Sequence, residues 1–437
     1  MINYKTIGAG ALLSKAASTK SVFLCGNGFS INFDDNYKSD NLANRLFETH
    51  CHLKTYSDFD VKSNGIYKTV FTENFKAAKK ILGSIKTRDA FNHFFQNAYD
   101  FAYSVIERKA TTDWLENNGY NTHLRFGLCQ LDLVRSIVEQ ANKNGVLYVN
   151  YEYWSVLIYY VLALNTAPTD VYNFDSTNVF VSAVKSSSTL SLFNEPICNK
   201  NIFSTVAANG VFTYFRFLFT ANILLNGKSY NVNGLSNWAD YRIASLSNFL
   251  SNFKFLLTTN YDRLLENITG RKVEHLHGTY LINQKRVLYL SLGVFYNRIR
   301  YDLTTAVIGD YFLSKSFLQV VAKTVSTQKP NSEIEIYSDI LGRVIKEDAA
   351  QTIVIFGLNM DNDLHILRDI QIFLGSANIK DPSIIYCYYC DNDKQRFLDG
   401  YEACITYPNQ LSNYVRNNIE ISMIDSKEII EKMFVRV

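Results

Sequence analysis

The feature that most constrains the fold of this chain is a set of short apolar runs, each ended by small and polar residues. Residues 21–25 (SVFLC) run into GNGFS at 26–30, and residues 253–257 (FKFLL) run into TTNYD at 258–262. Uninterrupted apolar runs of this length are typical of strands buried on both faces of a parallel sheet. After the first strand at 21–25, the pattern predicts strands at 253–258, 273–276, 352–356, 384–390 and 419–424.

The later strands are separated or followed by segments whose apolar residues have helical spacing, which predicts helices at 262–268, 332–349, 362–374 and 426–434. Strands that alternate with helices indicate a parallel sheet covered by helices on both faces. The predicted fold class is therefore α/β, a Rossmann-like doubly wound sheet. Residues 8–18 (GAGALLSKAAS) look like a glycine-rich loop but follow no strand, and their Ala, Leu and Lys content predicts a helix.

Between the first and second predicted strands the pattern becomes helical, which predicts a large α-helical insertion after the first strand and its loop. Residues 165–200 are polar and are expected to be rich in loops. The predicted organisation is one discontinuous domain, 1–30 plus 253–437, and an insertion at 31–252. Within the insertion, helical spacing is found at 40–51, 72–83, 88–108, 122–143, 151–164 and 240–252.

Composition excludes several classes of protein. Hydrophobic residues make up 47% of the 437 residues and charged residues 19%, as in globular proteins and unlike disordered ones. The net charge is +3 and the charges are interspersed, so no direct binding of nucleic acid or of a membrane is expected. The apolar run 154–164 is shorter than the roughly 20 residues that span a bilayer, and the run 211–225 carries Arg216. Both are expected to be core helices of a soluble, cytoplasmic protein.

The seven cysteines are odd in number and irregularly spaced, which indicates a reduced intracellular protein. Only Cys387 and Cys390 form a C-x-x-C pair. A structural zinc site usually needs two such pairs, so buried thiols in a strand are favoured and no metal is predicted.

The segments that follow the strands carry the candidate functional residues, because ligands of open α/β sheets bind outside the carboxyl ends of the strands. In GNGFS, Gly26 and Gly28 would let the backbone turn tightly and approach a phosphate. The alternative is a tight turn without a ligand. The third glycine of the dehydrogenase fingerprint is missing, which disfavours hydride transfer.

Asn260 and Asp262 follow the second strand. A neutral amide such as that of Asn260 can fix a water or a ribose hydroxyl without competing for protons. Asp262 stands where a helix is expected to begin, so a helix cap is its structural alternative.

His275 and His277 lie two residues apart near a strand end and would point to opposite faces if the strand persists. His277 is the better candidate, because Gly278 leaves room for a ligand and a histidine can accept a proton near neutral pH. His275 is expected to be a core histidine with satisfied hydrogen bonds. A zinc pair is disfavoured, since the two rings would splay apart and no third ligand is apparent.

The segment FGLNMDNDLH (356–365) follows a predicted central strand. Gly357 and Asn359 could meet a ribose, and Asp361 is expected to cap the next helix. Metal binding by Asp361 and Asp363 is an alternative, but the remaining ligands of a calcium loop are missing, and the role of Asp363 stays open. Asp391, after the next strand, is a further place to hold an adenosine hydroxyl.

Taken in order, GNGFS, TTNYD, HLHG and FGLNMDNDLH resemble the sirtuin-like family, in particular the NAD-consuming sirtuin-like domains of bacterial anti-phage defence proteins. The resemblance covers about residues 20–32 and 253–392. The helical insertion after the first loop is similar to that of a group of bacterial proteins with the same GNGFS start. Protein deacylases of the family carry a zinc ribbon with two C-x-x-C pairs, and this chain has a single pair.

The resemblance implies an NAD⁺ hydrolase with NAD⁺ as substrate, no metal, and catalytic roles for Asn260, Asp262 and His277. It also implies a phosphate loop and a ribose-binding segment. We further expect NAD⁺ depletion to be held off until infection, through a homo-oligomer or a regulatory partner protein. The alternatives are an NAD-dependent protein deacylase and a sensor that binds NAD⁺ or ADP-ribose without turnover. The predicted substrate-binding residues are Gly26, Asn27, Gly28, Phe29, Ser30, Gly357, Asn359, Asp363 and Asp391.

Overall fold

A computed structural model of the chain shows an α/β fold. It describes residues 2–55, 59–63, 68–121, 129–188, 202–224, 227–282, 290–296, 298–302, 337–376, 379–406 and 412–434. The predicted helix at 122–143 and the predicted helix at 332–349 begin outside the described residues.

The centre of the fold is a seven-stranded sheet in which every pairing is parallel. This confirms the predicted α/β class with a parallel sheet. In spatial order the strands are β1 (Lys5–Thr6), β11 (Glu420–Asp425), β10 (Ser383–Tyr388), β9 (Thr352–Phe356), β2 (Ser21–Cys25), β4 (Phe255–Thr258) and β5 (Glu274–His275).

The sheet is doubly wound, and the direction of winding reverses beside β2. From β2 the chain moves to β4 and β5 on one side, then returns to β9 on the other side and continues to β10 and β11. In register, Cys25 at the end of β2 lies between Phe356 of β9 and Thr258 of β4. Such a reversal leaves a crevice at the carboxyl ends of the strands, which is where α/β proteins bind ligands.

Helices follow most of these strands and bury an aromatic core against the sheet. Phe23 of β2 has ring contacts with Phe29, Phe249 and Phe253, at centroid distances of 5.2–6.1 Å. The predicted helix at 8–18 is confirmed. The helices of this part are α1 (Ala9–Ser18), α2 (Asn27–Ser30), α12 (Ile243–Ser251), α13 (Leu264–Thr269), α14 (Tyr337–Gly342), α15 (Met360–Ser376), α16 (Asp391–Thr406), α17 (Ser412–Asn418) and α18 (Ser426–Ile429).

The chain divides into two compact units whose bounds differ from those predicted. The sheet unit contains residues 1–38, 224–279 and 335–437, and the second unit contains residues 39–223 and 280–334. Residues 31–38 and 224–252 fall in the sheet unit because they pack on its core. Phe33, for example, lies against Trp238 and Tyr241.

In its described residues the second unit is mostly helical, and it also contains a small antiparallel sheet. This sheet has the order β3 (Phe59–Ser63), β7 (Leu290–Tyr296), β8 (Ile299–Asp302) and β6 (Leu281–Ile282). The helices of the second unit are α3 (Ser39–Thr55), α4 (Lys68–Leu82), α5 (Arg88–Glu107), α6 (Lys109–Asn117), α7 (Gln130–Asn144), α8 (Trp154–Leu164), α9 (Val179–Ser186), α10 (Ile202–Ala208) and α11 (Gly210–Leu224).

The apolar runs examined as possible membrane segments form core helices, as predicted. Every residue of α8 is buried. In the described part of the chain, no helix is both long enough and apolar enough to cross a bilayer. The segment 165–200, predicted to be rich in loops, contains the helix α9, while residues 189–200 lie outside the described part.

The C-x-x-C pair is split by the end of a strand. Cys387 is buried within β10, whereas Cys390 is exposed just beyond it. The prediction of two buried thiols is therefore wrong for Cys390, because β10 ends at Tyr388 and not at residue 390. Burial raises the pKa of the Cys387 thiol far above its ordinary value, which keeps it protonated.

A buried ion pair joins the start of the sheet unit to a later segment of the same unit. The Asp34 carboxylate is fully buried and lies 2.9 Å from the Lys228 ammonium, and it accepts the backbone N–H groups of Asn36 and Ser236. Burial by itself raises the pKa of Asp34, but the Lys228 ammonium and the two N–H groups outweigh it and lower the pKa overall. The charged carboxylate is thus stabilised in the folded state.

We predict that Lys228→Met destabilises the protein by about 1–3 kcal/mol at pH 7. Removing one partner of a fully buried ion pair costs more, but Lys228 is partly exposed. The variant leaves Asp34 as a buried charge without its cation. Asp34 has a depressed pKa in the folded protein, so the stability it contributes is present above its unfolded pKa of about 3.9 and is lost as the pH falls through its lower folded pKa. The deficit of the variant should therefore shrink as the pH is lowered below about 4, where Asp34 becomes protonated and needs no cation.

Urea denaturation followed by circular dichroism measures this difference. Lys432→Met is the matched control, since Lys432 forms an exposed pair with Glu428 and its loss should cost less than about 1 kcal/mol. Equal losses in the two variants would refute the assigned role of the Asp34–Lys228 pair.

Candidate functional site

The carboxyl ends of β2 and β4 carry a buried chain of three polar side chains. The Asn260 amide nitrogen donates to Ser30 Oγ over 2.9 Å, and the Ser30 hydroxyl donates to Asp262 Oδ2 over 2.6 Å. The structure thus brings together three of the predicted site residues, one from the short helix α2 after β2 and two from the loop after β4. All three are less than one-tenth exposed.

The hydrogen bonds of Asn260 determine the orientation of its amide. Its Nδ2 also donates to the backbone oxygen of Gly26 over 3.0 Å, and a carbonyl can only accept. Among the described residues, none donates a hydrogen bond to Asn260 Oδ1. The side chain is therefore held rigidly through its nitrogen and keeps its oxygen as an acceptor for a water or a hydroxyl.

Asp262 lies one residue before Arg263, the N-cap of α13, so it takes part in the polar chain without being the predicted helix cap. Its Oδ1 accepts the backbone N–H of Leu264 over 3.1 Å, at the first residue of α13. Burial raises the pKa of Asp262 above its ordinary value, although the bonds from Ser30 and Leu264 oppose the rise. A carboxylate already engaged at both oxygens serves to orient Ser30 and the loop.

His275 contacts the backbone of Asn260 and is not a member of the polar chain. Its Nδ1 lies 2.8 Å from the Asn260 backbone oxygen and its Nε2 lies 3.0 Å from Glu266 Oε1. Both ring nitrogens are thus used within the sheet unit, in agreement with the expectation of a satisfied core histidine. The contact with Asn260 also helps to hold the backbone that presents the amide.

His277 lies beyond β5, which ends at His275, so strand alternation does not decide its direction. The chain turns at Gly278, whose φ of +76° is readily adopted only by glycine. His277 is 4% exposed, and its Nε2 lies 3.3 Å from Nε2 of His365 in α15. Burial lowers the pKa of His277 to about 4, so the ring is neutral at physiological pH.

Asp363 lies beside these two histidines. It is 8% exposed, and its carboxylate and the two histidine rings each offer a ligand atom within 4.8 Å of the others. His365 is buried against Tyr337, and burial together with the neighbouring His277 lowers its pKa well below the ordinary value. This second cluster joins the loop after β5 to the helix after β9.

The glycines of the GNGFS loop serve close backbone packing. A Cβ on Gly28 would lie 2.6 Å from the Cα of Gly357, and a Cβ on Gly26 would lie 2.7 Å from the Gly357 oxygen. Gly357 itself has a φ of +65°. The N–H groups of Gly26, Gly28 and Phe29 all donate to backbone oxygens, so in this arrangement they are not available to a phosphate.

Two further loop residues also have structural partners. The Asn27 side chain donates to the Tyr37 backbone oxygen over 2.8 Å, and Phe29 is 1% exposed within the aromatic core. The predicted phosphate contacts of 26–30 therefore have no support from the arrangement of the loop, whereas Ser30 takes part in the polar chain.

Asn359 caps the helix that Asp361 was expected to cap. The helix α15 begins at Met360, two residues earlier than predicted, and the Asn359 Oδ1 accepts the backbone N–H of Asp361 over 3.1 Å. Asp361 is exposed and lies 3.4 Å from Arg396. Asp391 is exposed in the first turn of α16, and no hydrogen bond or ion pair of a described residue joins it to Asn260 or His277.

Sequence reasoning missed three supporting residues. Thr258 accepts the Asn260 backbone N–H over 3.0 Å and donates to the Cys25 oxygen, while Glu266 holds His275. His365 belongs to the motif FGLNMDNDLH, but the motif alone assigns it no role. The signal that could have drawn attention to it is the pair Asp363 and His365, two chemically useful side chains at the start of a buried helix.

Comparison of the chain with protein-family models, with curated proteins and with solved structures finds no match. The likeness of the motifs to the sirtuin-like family thus remains a prediction from the sequence.

We predict that Gly28→Ala destabilises the protein by about 1–3 kcal/mol, because the added methyl group forces the loops after β2 and β9 apart. Gly10→Ala is the matched control. Gly10 is exposed in α1, and a Cβ there would have no atom within 4 Å, so the change should stabilise the helix by about 0.5–1 kcal/mol. Thermal unfolding of both variants provides the measurement, and a neutral Gly28→Ala would show that the two loops do not pack as described.

Proposed function

We propose that the protein is an NAD⁺ glycohydrolase that cleaves the bond between nicotinamide and ribose. The observation that carries the proposal is the buried Asn260 amide at the carboxyl edge of a doubly wound sheet. It is fixed through its nitrogen by Gly26 and Ser30, and its oxygen remains able to accept. The order of the motifs, which resembles that of sirtuin-like NAD-consuming domains, supports the choice of substrate.

The reaction needs little chemical assistance beyond orientation and shielding. A water oxygen bonds to C1′ of the ribose as the C1′–nitrogen bond breaks, and the electron pair of that bond leaves with neutral nicotinamide. The water releases one proton, and the other product is ADP-ribose. Holding the water and the ribose in the correct geometry lowers the barrier by avoiding much of the entropic cost of assembly.

Asn260 Oδ1 is proposed to accept a hydrogen bond from the attacking water or from a ribose hydroxyl. His277, which is neutral at pH 7, is proposed to bind a ribose hydroxyl or the water through a ring nitrogen. Asp262 acts through Ser30 and is a positioning residue. The glycine loop is proposed to shape the wall of the crevice, since three of its N–H groups are engaged in backbone bonds.

We expect Asn260→Ala and His277→Ala each to reduce nicotinamide release by about 10²–10⁴-fold, the usual effect of removing a positioned catalytic group. The assay follows nicotinamide and ADP-ribose by chromatography after the purified, activated protein is incubated with NAD⁺. Asn248→Ala and His93→Ala are matched controls, because both residues are exposed on helices, and they should leave the rate unchanged.

Full activity in both site variants would exclude the proposed mechanism. Strong acceleration by an acylated peptide would instead indicate an NAD-dependent deacylase. Tight binding of ADP-ribose without turnover under every activating condition would indicate a sensor.

The proposed activity also requires control, because an unregulated NAD⁺ hydrolase would kill its host. Asn260, Asp262 and His277 are all less than one-tenth exposed, which supports a resting state that admits substrate poorly. We propose that a homo-oligomer or a regulatory partner protein switches the enzyme on during phage infection, in the cytoplasm. The mostly helical second unit is the proposed regulatory part.

This regulation predicts low activity of the isolated monomer. Size-exclusion fractions should show NAD⁺ hydrolysis concentrated in assembled species, with the monomer at least about tenfold less active, a coupling of roughly 1.4 kcal/mol or more. A monomer that hydrolyses NAD⁺ at the same rate as the assembled protein would disprove this form of control.

A further inference from the structure

A second cluster of side chains in the sheet unit has the composition of a metal site. His277 lies in the loop after β5, whereas Asp363 and His365 lie near the start of α15, and all three are buried, at 4%, 8% and 1% exposure. Their ligand atoms lie within 4.8 Å of one another. Two imidazoles and one carboxylate form a donor set that proteins use for zinc and other first-row transition metals.

The backbone is adapted to bring Asp363 and His365 to the same side. On a regular helix each residue is rotated by about 100° about the axis from the one before it, so side chains two residues apart point in nearly opposite directions. Asp363, however, has φ −106° and ψ 19°, which is not helical, although it lies within α15. This break in the helix lets both side chains approach His277.

The distance between the histidines fits ligation. In a tetrahedral site with metal–nitrogen bonds of about 2.0–2.1 Å, two ligating nitrogens lie roughly 3.3–3.4 Å apart. The Nε2 atoms of His277 and His365 are 3.3 Å apart, and their ring planes are inclined by only 15°. A direct N–H···N hydrogen bond has the same length, and the metal titration described below distinguishes the two.

We propose that His277, Asp363 and His365 bind one divalent transition-metal ion of the zinc class. Three protein ligands leave the fourth position of a tetrahedral ion open to water or to a hydroxyl of a ligand. Ligation through Nε2 leaves the Nδ1–H of His277 as a donor to a ribose hydroxyl, so the metal is compatible with NAD⁺ hydrolysis. The metal proposal does not depend on that reaction, and its test measures binding alone.

The test uses the full-length protein, stripped with a chelator and titrated with Co²⁺, whose visible absorption reports its coordination, and with Zn²⁺ in competition. We expect one equivalent per chain and an intense four-coordinate Co²⁺ spectrum that Zn²⁺ abolishes. Removal of one ligand in His365→Gln or Asp363→Asn should weaken metal binding by more than about 100-fold. Changes to residues that only hydrogen-bond a metal ligand already lower metal affinity by about 10–100-fold. His93→Gln, which changes an exposed histidine of α5, should bind as the wild type does.

His365→Cys keeps the test decisive if the other variants fold poorly. A thiolate is also a good ligand, so this variant should bind Co²⁺ with a new thiolate-to-metal charge-transfer band. Absence of stoichiometric metal from the wild type, or unchanged Co²⁺ binding in His365→Gln and Asp363→Asn, would overturn the proposal. In that case the His277–His365 contact is a direct hydrogen bond.

Discussion

The site depends on the contact between the backbones of Gly28 and Gly357. This contact joins the loop after β2 to the loop after β9, on either side of the point where the winding of the sheet reverses. A Cβ on either glycine would lie within 2.7 Å of the other backbone. The contact keeps Gly26 where its oxygen accepts the Asn260 amide and keeps Ser30 between Asn260 and Asp262. Without it, the polar chain of the candidate site would lose its anchor.

Two groups of side chains lie at the carboxyl edge of the sheet, and we propose a different role for each. Asn260, Ser30 and Asp262 form a hydrogen-bonded chain in which no described residue donates to the Asn260 oxygen. His277, Asp363 and His365 form a buried cluster suited to a cation. Both groups consist of residues that are costly to bury and that contribute little to packing, which is the usual mark of a functional site in an otherwise apolar region. The glycines, by contrast, have a sufficient structural explanation.

Much of the sheet could be predicted because its strands are continuous apolar runs. The strand Ser21–Cys25 and the strand Thr352–Phe356 have the predicted bounds, and the bounds of the four other predicted strands differ from the prediction by at most two residues. The edge strand Lys5–Thr6 was missed because it is exposed and only two residues long. The antiparallel sheet of the second unit was also missed, since β3 pairs with β7 across more than 200 residues and a local pattern carries no sign of its partner.

The site was predictable to the extent that strand ends place residues at one edge. The pattern located Asn260, Asp262 and His277 in this way. It could not show that Asn359 would cap α15 in place of Asp361, because that depends on where the helix begins. The meeting of His277 with His365 depends on a non-helical residue inside α15 and on a separation of 88 residues along the chain.

The central claim is that this edge of the sheet hydrolyses NAD⁺, and the most direct measurement is the NAD⁺ content of cells that express the protein. Wild-type protein and His277→Ala are expressed at equal levels, with and without phage infection, and NAD⁺, nicotinamide and ADP-ribose are quantified by mass spectrometry. The account predicts that NAD⁺ falls and both products rise with the wild type and remain at their basal levels with the variant. Equal NAD⁺ loss with both proteins, or no loss with the wild type under any of these conditions, would contradict it.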